Sequence, residues 1–201
     1  MQLFWTAVAL PLLGAVAAAD MIKPAWGTEM ATVTLDSWVK FDSTSGNHPI
    51  MNDDDWVRGD LHYQIYSSQY GFDVNGNSDR TFAWQPTAGE WNFLSVSYSV
   101  PNNEIRLAVN GAYQERIGAA AVPISFSNPR IGGWLSGSTQ SRYLQGSIAS
   151  FRVWSVETDG TDTCFGMGLV AGYELDGDSG TAIDRGPNAL HGTWSGTTID
   201  P

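Results

Sequence analysis

Three adjacent acidic residues are the first feature of this sequence that could do chemistry. Asp53, Asp54 and Asp55 follow Asn52 in one short stretch. Calcium takes six to eight oxygen ligands, often from loop carboxylates, and a bound cation would relieve the repulsion between neighbouring negative charges. The stretch therefore predicts a calcium site. The alternative is an ordinary solvated acidic turn, because Asp also favours turns for local hydrogen-bonding reasons.

A second group of acids lies near the C-terminus. Asp176, Asp178 and Asp184 surround a glycine-rich stretch and form a second candidate for calcium. Glu174 and Asp176 alternate as two carboxylates on one strand face would, and a retaining glycosidase needs two carboxyl groups about 5 Å apart. Gly177 interrupts this strand, so we expect a turn here and no catalytic residues.

Aromatic residues flanked by polar ones suggest a sugar-binding surface. The chain has 9 Trp, 7 Tyr and 8 Phe, and most of them are expected in the core because aromatic burial is strongly favourable. Saccharides stack on exposed aromatic rings and bond to polar neighbours. The candidate ligand residues are Trp56, Arg58, Trp134, Arg142 and Tyr143. Trp38, Trp91 and Trp154 are instead expected to pack inside or against a sheet.

Other common site chemistries are absent from the sequence. His48, His62 and His191 are scattered, whereas a zinc site needs clustered ligands. No Ser–His–Asp arrangement, phosphate loop or dinucleotide motif is present. Cys164 is the single cysteine, so no internal disulfide can form.

The elements that position these residues are short strands. Ile105, Leu107 and Val109 alternate with less apolar residues, which indicates a strand with one apolar face. Asn110-Gly111 then predicts a two-residue hairpin turn with both residues at positive φ. Further strands are predicted at 31–40, 61–66, 70–74, 81–84, 91–100, 112–117 and 148–153. No segment after residue 20 sustains a capped helical period.

Four of these pieces, in this order, resemble the laminin-G-like branch of the concanavalin A-like lectin/glucanase superfamily. They are the Trp91-led strand, the Val-Asn-Gly ending at Gly111, the Ile-Gly-Gly at 131–133, and the strand 146–154 ending in Arg-Val-Trp. The resemblance covers about residues 30–196 and implies an all-β, two-sheet antiparallel jelly-roll sandwich.

The segment from Gly168 to Trp194 resembles the strand pair that closes such domains. We therefore expect residues 168–175 to pair inside the same domain. The residues expected to face its core are Leu169, Ala171, Tyr173 and Leu175.

The resemblance also bears on function. Many relatives bind calcium at a loop edge, which adds to the case for Asp53, Asp54 and Asp55. Hydrolases of the laminarinase type carry Glu-x-Asp-x-x-Glu, and the second Glu is missing after Asp176. The expected function is a non-catalytic recognition module that binds a glycan or a protein partner, with calcium as a candidate cofactor. The alternatives are a structural subunit of a larger assembly and, least favoured, a glycan hydrolase.

Charge and the N-terminus set the remaining expectations. The formal net charge of −11 argues against nucleic-acid binding and electrostatic docking on anionic lipid. Residues 2–19 are mostly apolar and end in small residues, as in a secretory signal peptide. A run of about 18 apolar residues can also anchor a chain in a membrane. We therefore expect residues 1–19 to be a signal or an anchor, residues 20–201 to form one domain, and the protein to be secreted or lumenal, or membrane-anchored.

Overall fold

A computed structural model describes residues 15–16, 21–23, 29–77, 79–118, 120–136, 139–158, 168–175, 181–195 and 199–200. These residues form antiparallel strands and contain no helix. The all-β class expected from the sequence is therefore confirmed.

One layer is a six-stranded sheet. Its strands are β4 (Thr32–Phe41), β8 (Trp91–Ser99), β9 (Glu104–Val109), β10 (Ala112–Gly118), β15 (Gly146–Trp154) and β16 (Leu169–Glu174). Their spatial order is β10-β9-β8-β4-β15-β16, which leaves β10 and β16 at the edges. A bulge between Tyr113 and Glu115 interrupts the register of β10 against β9.

The other layer is a seven-stranded sheet. Its strands are β2 (Met21–Lys23), β5 (His48–Asp53), β6 (Leu61–Tyr66), β7 (Gln69–Val74), β12 (Pro129–Ile131), β17 (Thr181–Ala182) and β18 (Gly192–Ser195). The order is β17-β18-β2-β12-β5-β6-β7. Because β6 lies between β5 and β7 near one end of the sheet, its outward side chains have neighbours on both flanks.

Three two-stranded pairs complete the described fold. They are β1 (Ala15–Val16) with β19 (Ile199–Asp200), β3 (Glu29–Met30) with β11 (Ile124–Ser125), and β13 (Gly133–Ser136) with β14 (Thr139–Tyr143). The β13–β14 hairpin lies against β5 and carries three of the candidate ligand residues, Trp134, Arg142 and Tyr143.

The core lies between the two large sheets. Alternate residues of each strand face it, because successive strand side chains point to opposite faces. On β6, Leu61, Tyr63 and Ile65 are buried in this core, so His62 and Gln64 project from the outer face. The largest fully buried side chains include Tyr63, Tyr70, Tyr98, Tyr173, Phe41, Phe72 and Phe151.

Two local predictions are confirmed by the backbone. Asn110 and Gly111 have φ values of 53° and 76° and join β9 to β10 directly. β16 pairs with β15 inside the six-stranded sheet. Ala171, Tyr173 and Leu175 lie in the core as predicted, whereas Leu169 is buried outside it.

Other expectations are corrected. Residues 81–84 do not form a strand; Thr81 makes only an isolated bridge to Gly71. Trp154 is buried as expected, but Trp38 and Trp91 lie on the outer face of the six-stranded sheet and are 39% and 36% exposed. Their aromatic rings are therefore available to solvent.

The ends of the chain lie mostly outside the described residues. The first 14 residues and Cys164 are among those not described. Ala15–Val16 pairs with Ile199–Asp200. Among the described residues, no helix has the length and apolar character needed to cross a membrane.

Candidate functional site

A pocket of about 270 Å³ opens on the outer face of the seven-stranded sheet. Strand β6 supplies its floor, and the β13–β14 hairpin and the loop after β5 supply aromatic walls. The lining residues are Trp56, His62, Gln64, Tyr66, Asp73, Asp79, Trp134 and Arg142. A concave site of this kind, with rigid rings and a few convergent polar groups, is the usual form of a small-ligand site.

The floor of the pocket is a hydrogen-bonded row of polar side chains. Asn52 Nδ2 donates to Gln64 Oε1 at 2.9 Å, and Gln64 Nε2 donates to His62 Nδ1 at 3.4 Å. His62 Nε2 in turn donates to the Asp53 carbonyl oxygen at 3.2 Å. Each group fixes the orientation of the next, so the floor is rigid.

Histidine protonation is disfavoured in this floor. The pKa of His62 is lowered to about 4, chiefly by burial and also by the nearby charge of Arg142, against the opposing effect of the Asp53 carbonyl. The His62 ring lies against Trp56, with the ring centroids 3.9 Å apart. The imidazole is therefore neutral at physiological pH and part of the aromatic lining.

The Trp56 wall depends on a strained loop. Trp56 has a φ of 52°, a conformation that bulky residues rarely adopt and that is often kept at functional sites. Asn75 Nδ2 donates to the Trp56 carbonyl, and Val57 N donates to Asp60 Oδ2 at 2.7 Å. Asp60 Oδ1 accepts a bond from Ser127 at 2.7 Å. These bonds hold Trp56 over the floor.

The second wall is held by Asp54. Its carboxylate accepts from Arg130 Nε at 2.8 and 2.6 Å, from Leu135 N at 2.9 Å and from Asn128 Nδ2 at 3.1 Å. Because Leu135 follows Trp134 on β13, the bond to its backbone fixes the hairpin that carries both Trp134 and Arg142.

The acidic stretch predicted to bind calcium therefore has structural partners. Asp53 accepts bonds from Leu61 N and Asn128 N, both at 3.0 Å. Asp54 is bonded to Asn128, Arg130 and the Leu135 backbone. Asp55 is exposed. In the described part of the chain, no three Asp, Glu, His or Cys side chains are grouped as a metal site requires. Calcium binding at this loop stays a prediction.

Burial changes the protonation of this stretch as well. It raises the pKa of Asp53 to about 7, with the charges of Asp60 and Asp54 adding to the effect and the two backbone N–H donors opposing it. Asp53 is thus a partly protonated carboxyl group beneath the pocket at neutral pH.

The remaining wall is formed beside β7. Asp73 Oδ1 accepts a bond from Arg80 N at 2.6 Å, and Asp79 lines the pocket mouth. Burial raises the pKa of Asp73 to about 6, with a further rise from Asp79, against the effects of the Arg80 N–H and charge. Gly71 allows this approach, since a Cβ there would lie 2.6 Å from the Arg80 carbonyl.

Three of the five predicted ligand residues line the pocket, namely Trp56, Trp134 and Arg142. Arg58 is exposed and lies against Gly76. Tyr143 is half-buried on β14 and is not among the lining residues. Sequence reasoning missed the lining residues His62, Gln64, Tyr66, Asp73 and Asp79. The signal available for the first three was their position on the polar face of the alternating strand 61–66.

The second acidic group contributes no described metal site either. Asp184 accepts backbone bonds from Gly172, Gly186 and Leu190, while Asp176 and Asp178 lie outside the described residues. His191 Nδ1 accepts from Asp184 N at 3.1 Å. Glu174 ends the edge strand β16 of the six-stranded sheet, and the pocket lies on the seven-stranded one.

The sequence matches the family profile described as the concanavalin A-like lectin/glucanases superfamily over residues 17–162. The chain belongs to this superfamily. The resemblance inferred from the Trp91, Gly111 and Trp154 strands is thereby confirmed. A search of curated proteins finds no significant match.

Solved structures share the fold at low identity. A candidate carbohydrate-binding protein of Bacteroides ovatus is 20% identical with a TM-score of 0.73, and the match covers 94% of this chain and 60% of that one. The carbohydrate-binding domain CBM40 of the Ruminococcus gnavus IT-sialidase is 15% identical (TM-score 0.55; 73% and 92% coverage). A pentraxin of Limulus polyphemus is 12% identical (TM-score 0.55; 72% and 73% coverage). The chain thus spans less than two thirds of the Bacteroides protein.

Proposed function

We propose that the protein is a non-catalytic carbohydrate-binding module and that the pocket on the seven-stranded sheet is its glycan site. The observation that carries the proposal is the combination of Trp56, Tyr66 and Trp134 around a rigid polar floor. Aromatic rings offer apolar faces for stacking, and the polar groups supply hydrogen bonds. The carbohydrate-binding neighbours of the same fold support this function.

The size of the pocket supports recognition of a short ligand. A volume of about 270 Å³ lies just below the usual range of small-molecule sites, about 300–1,000 Å³. We infer that it holds one sugar unit of a longer glycan, with the rest of the glycan in solvent. Preformed floor hydrogen bonds reduce the ordering cost of binding.

The test is a glycan array followed by calorimetry on the best ligand. Trp134→Ala should weaken binding about tenfold or more, since loss of a stacked ring removes both burial and orientation. Trp38→Ala, an exposed tryptophan on the other sheet, is the matched control and should bind normally. Normal binding in Trp134→Ala would place the glycan site elsewhere.

We further propose that the module does not hydrolyse its glycan. Glu174 lies on the sheet opposite the pocket, and no second carboxylate follows Asp176 in the hydrolase spacing. No reducing sugar should be released from a β-glucan. Release that Glu174→Gln abolishes would refute this proposal.

An extracytoplasmic location is part of the proposal. It rests on the apolar residues 2–19 and their small-residue ending. N-terminal sequencing of the protein from its source should give a mature end near Asp20. A protein that begins at Met1 in a membrane fraction would favour the anchored alternative.

A second candidate function is membership in a larger assembly. The supporting observation is the exposed pair Trp38 and Trp91 on the outer face of the six-stranded sheet, because exposed aromatic surface often marks a protein interface. Light scattering of wild-type protein and the Trp38→Ser/Trp91→Ser double variant tests it. Assembly through this face predicts a larger mass that the double variant loses.

A further inference from the structure

Two of the three walls of the pocket, the hairpin wall and the wall beside β7, have opposite hydrogen-bonding character. The hairpin wall presents donors, namely the guanidinium of Arg142 and the indole N–H of Trp134. The wall beside β7 presents the carboxylates of Asp73 and Asp79. This polarity restricts the ligands that can satisfy both walls at once.

The donors of the hairpin wall are held in place and left open. The Arg142 guanidinium lies 4.5 Å from the ring centroid of Trp134 and 4.9 Å from that of Tyr66. Its bond to Gln64 Oε1 is long, at 3.4 Å. Within the described part of the chain, no carboxylate lies within ion-pair distance of Arg142.

Trp134 adds a second donor, which is unpaired. Its Nε1 atom is buried and has no hydrogen-bond acceptor among the described residues. A buried N–H without an acceptor costs free energy, and a ligand acceptor at this position would remove the cost. The pocket therefore offers one buried indole N–H beside a planar, permanently charged fork.

Among the described residues, the floor supplies no acceptor to Trp134 Nε1. Gln64 Oε1 already accepts from Asn52, and His62 Nδ1 accepts from Gln64. In the strand register, Asp73 on β7 lies opposite His62 on β6. Arg142 contacts Gln64 from the side of the hairpin. The acceptor wall and the donor wall therefore lie on opposite sides of β6.

We propose that the pocket takes an acidic saccharide unit. Its carboxylate accepts bonds from Arg142 and Trp134, and its hydroxyl groups donate to Asp73 and Asp79. The Arg fork matches a planar carboxylate in two-point geometry. This inference rests on the proposed glycan-binding function and adds the charge class of the ligand.

The test compares acids with their own esters. A panel of uronic-acid oligosaccharides is measured by calorimetry as free acids and as methyl esters, which keep the shape and lose the charge. Neutral oligosaccharides of the same linkage and 6-sulfated versions complete the panel. We expect the free acid to bind about tenfold or more tightly than its ester, since a charge-assisted bond is about twice as strong as a neutral one.

Variants of Arg142 test whether this side chain recognises the negative charge of the ligand. Arg142→Gln should remove the preference for acid over ester, and Arg142→Lys should restore it only in part, because an ammonium lacks the planar fork. Arg185→Gln, an exposed arginine on another loop, is the matched control and should keep the full preference. Unchanged melting temperatures exclude a folding defect.

A pH series gives an independent readout. The charged or titratable groups that face the ligand space are Asp73, Asp79, His62, Tyr66 and Arg142. Arg80 is bonded behind Asp73, and Asp53 lies beneath the floor. Protonation of Asp73 removes a negative charge near the bound acid. Affinity for the free acid should thus rise a few-fold from pH 7.5 to 5.5, and Asp73→Asn should flatten this rise.

The possible outcomes distinguish failure of the acidic-ligand proposal from failure of the proposed glycan-binding function. Equal affinity for acid, ester and neutral forms would overturn the charge assignment and leave glycan binding intact. Preference for the sulfated form over the carboxylate, lost in Arg142→Gln, would keep an anionic ligand but overturn the carboxylate. Binding to no member of the panel or of the glycan array would overturn both.

Discussion

The outer faces of the two sheets use their polar side chains in different ways. On the six-stranded sheet, Trp154 Nε1 donates to Asp36 Oδ2 at 2.7 Å, and Thr34 donates to the Val156 carbonyl at 2.7 Å. The chain after β15 thus folds back and satisfies this face with its own backbone. On the seven-stranded sheet, side chains of a hairpin and a loop cover the face. Among the described residues, they leave Trp134 Nε1 without an acceptor and Arg142 without a carboxylate partner. Strand alternation gives both sheets a polar outer face, and the covering segments decide which face becomes a site.

The largest difference between the faces should appear in their ion pairs. Arg130→Gln leaves the buried Asp54 carboxylate without its cation and should cost about 3 kcal/mol of unfolding free energy. Arg116→Gln removes a half-exposed partner of Glu104, which keeps Arg106, and should cost less than about 1 kcal/mol. Urea unfolding of both variants measures the contrast, and equal costs would contradict it.

Arg130→Gln should also weaken glycan binding, because Asp54 fixes the hairpin through Leu135 N. Calorimetry at a temperature where both variants are folded separates this effect from stability. Normal binding in Arg130→Gln would mean that the hairpin keeps its position without the ion pair between Arg130 and Asp54.

Substitution of one glycine in β7 and one in the β9–β10 turn should give a smaller difference in stability between the two faces. Gly71→Ala places a Cβ 2.6 Å from the Arg80 carbonyl, so residues 79–82 must shift, at a cost of about 1–3 kcal/mol. Gly111→Ala meets no atom within 4 Å but is strained at a φ of 76°, with a cost of about 1 kcal/mol. Only the first change should reduce glycan affinity, because the shifted segment contains Asp79 and is bonded to Asp73 through Arg80 N.

The pH dependence of the unfolding free energy should reveal the protonation of Asp73, on the outer face of the seven-stranded sheet. The pKa of Asp73 is raised to about 6 in the folded protein, so the folded state holds its proton more tightly than the unfolded chain. This contribution is fully present below about pH 4 and is lost as pH rises through about 6. Asp73→Asn should reduce the decline in urea-unfolding free energy over that range, and an unchanged slope would assign the decline to other groups such as Asp53.

The smallest effect is expected at Asp55. It is the exposed member of the acidic stretch, so Asp55→Asn should leave the melting temperature and glycan affinity unchanged. Melting scans with calcium and with chelator test the calcium prediction at the same time. A calcium-dependent rise in melting temperature that Asp55→Asn abolishes would establish a metal site at this loop.

The sequence predicts the fold well because its signals are local. Alternation at Ile105, Leu107 and Val109 and the Asn110-Gly111 pair depend on residues that are adjacent in the chain, and both are confirmed. The closing strand 168–175 is predicted by resemblance and is also confirmed. The exposure of Trp38 and Trp91 was not foreseen, since alternation alone does not say which face is covered.

The site is less predictable because its parts come from distant segments. Polar neighbours identify Trp56, Trp134 and Arg142, but they give the same signal for Arg58 and Tyr143. His62 becomes a site residue only because a hairpin some 70 residues later folds over it. Likewise, composition cannot reveal that Asp54 faces Arg130 and a backbone N–H, which lie far along the chain.

The β-bulge between Tyr113 and Glu115 affects whether copies of the protein can associate edge to edge at high concentration. Edge strand β10 offers unpaired backbone groups to any second strand, and such edges template open-ended aggregation. The extra residue breaks the regular spacing of these groups and increases the local twist, while Glu115 and Arg116 place charges along the rim. A neighbouring molecule therefore finds no straight, uncharged strand to extend, and the sheet ends at β10.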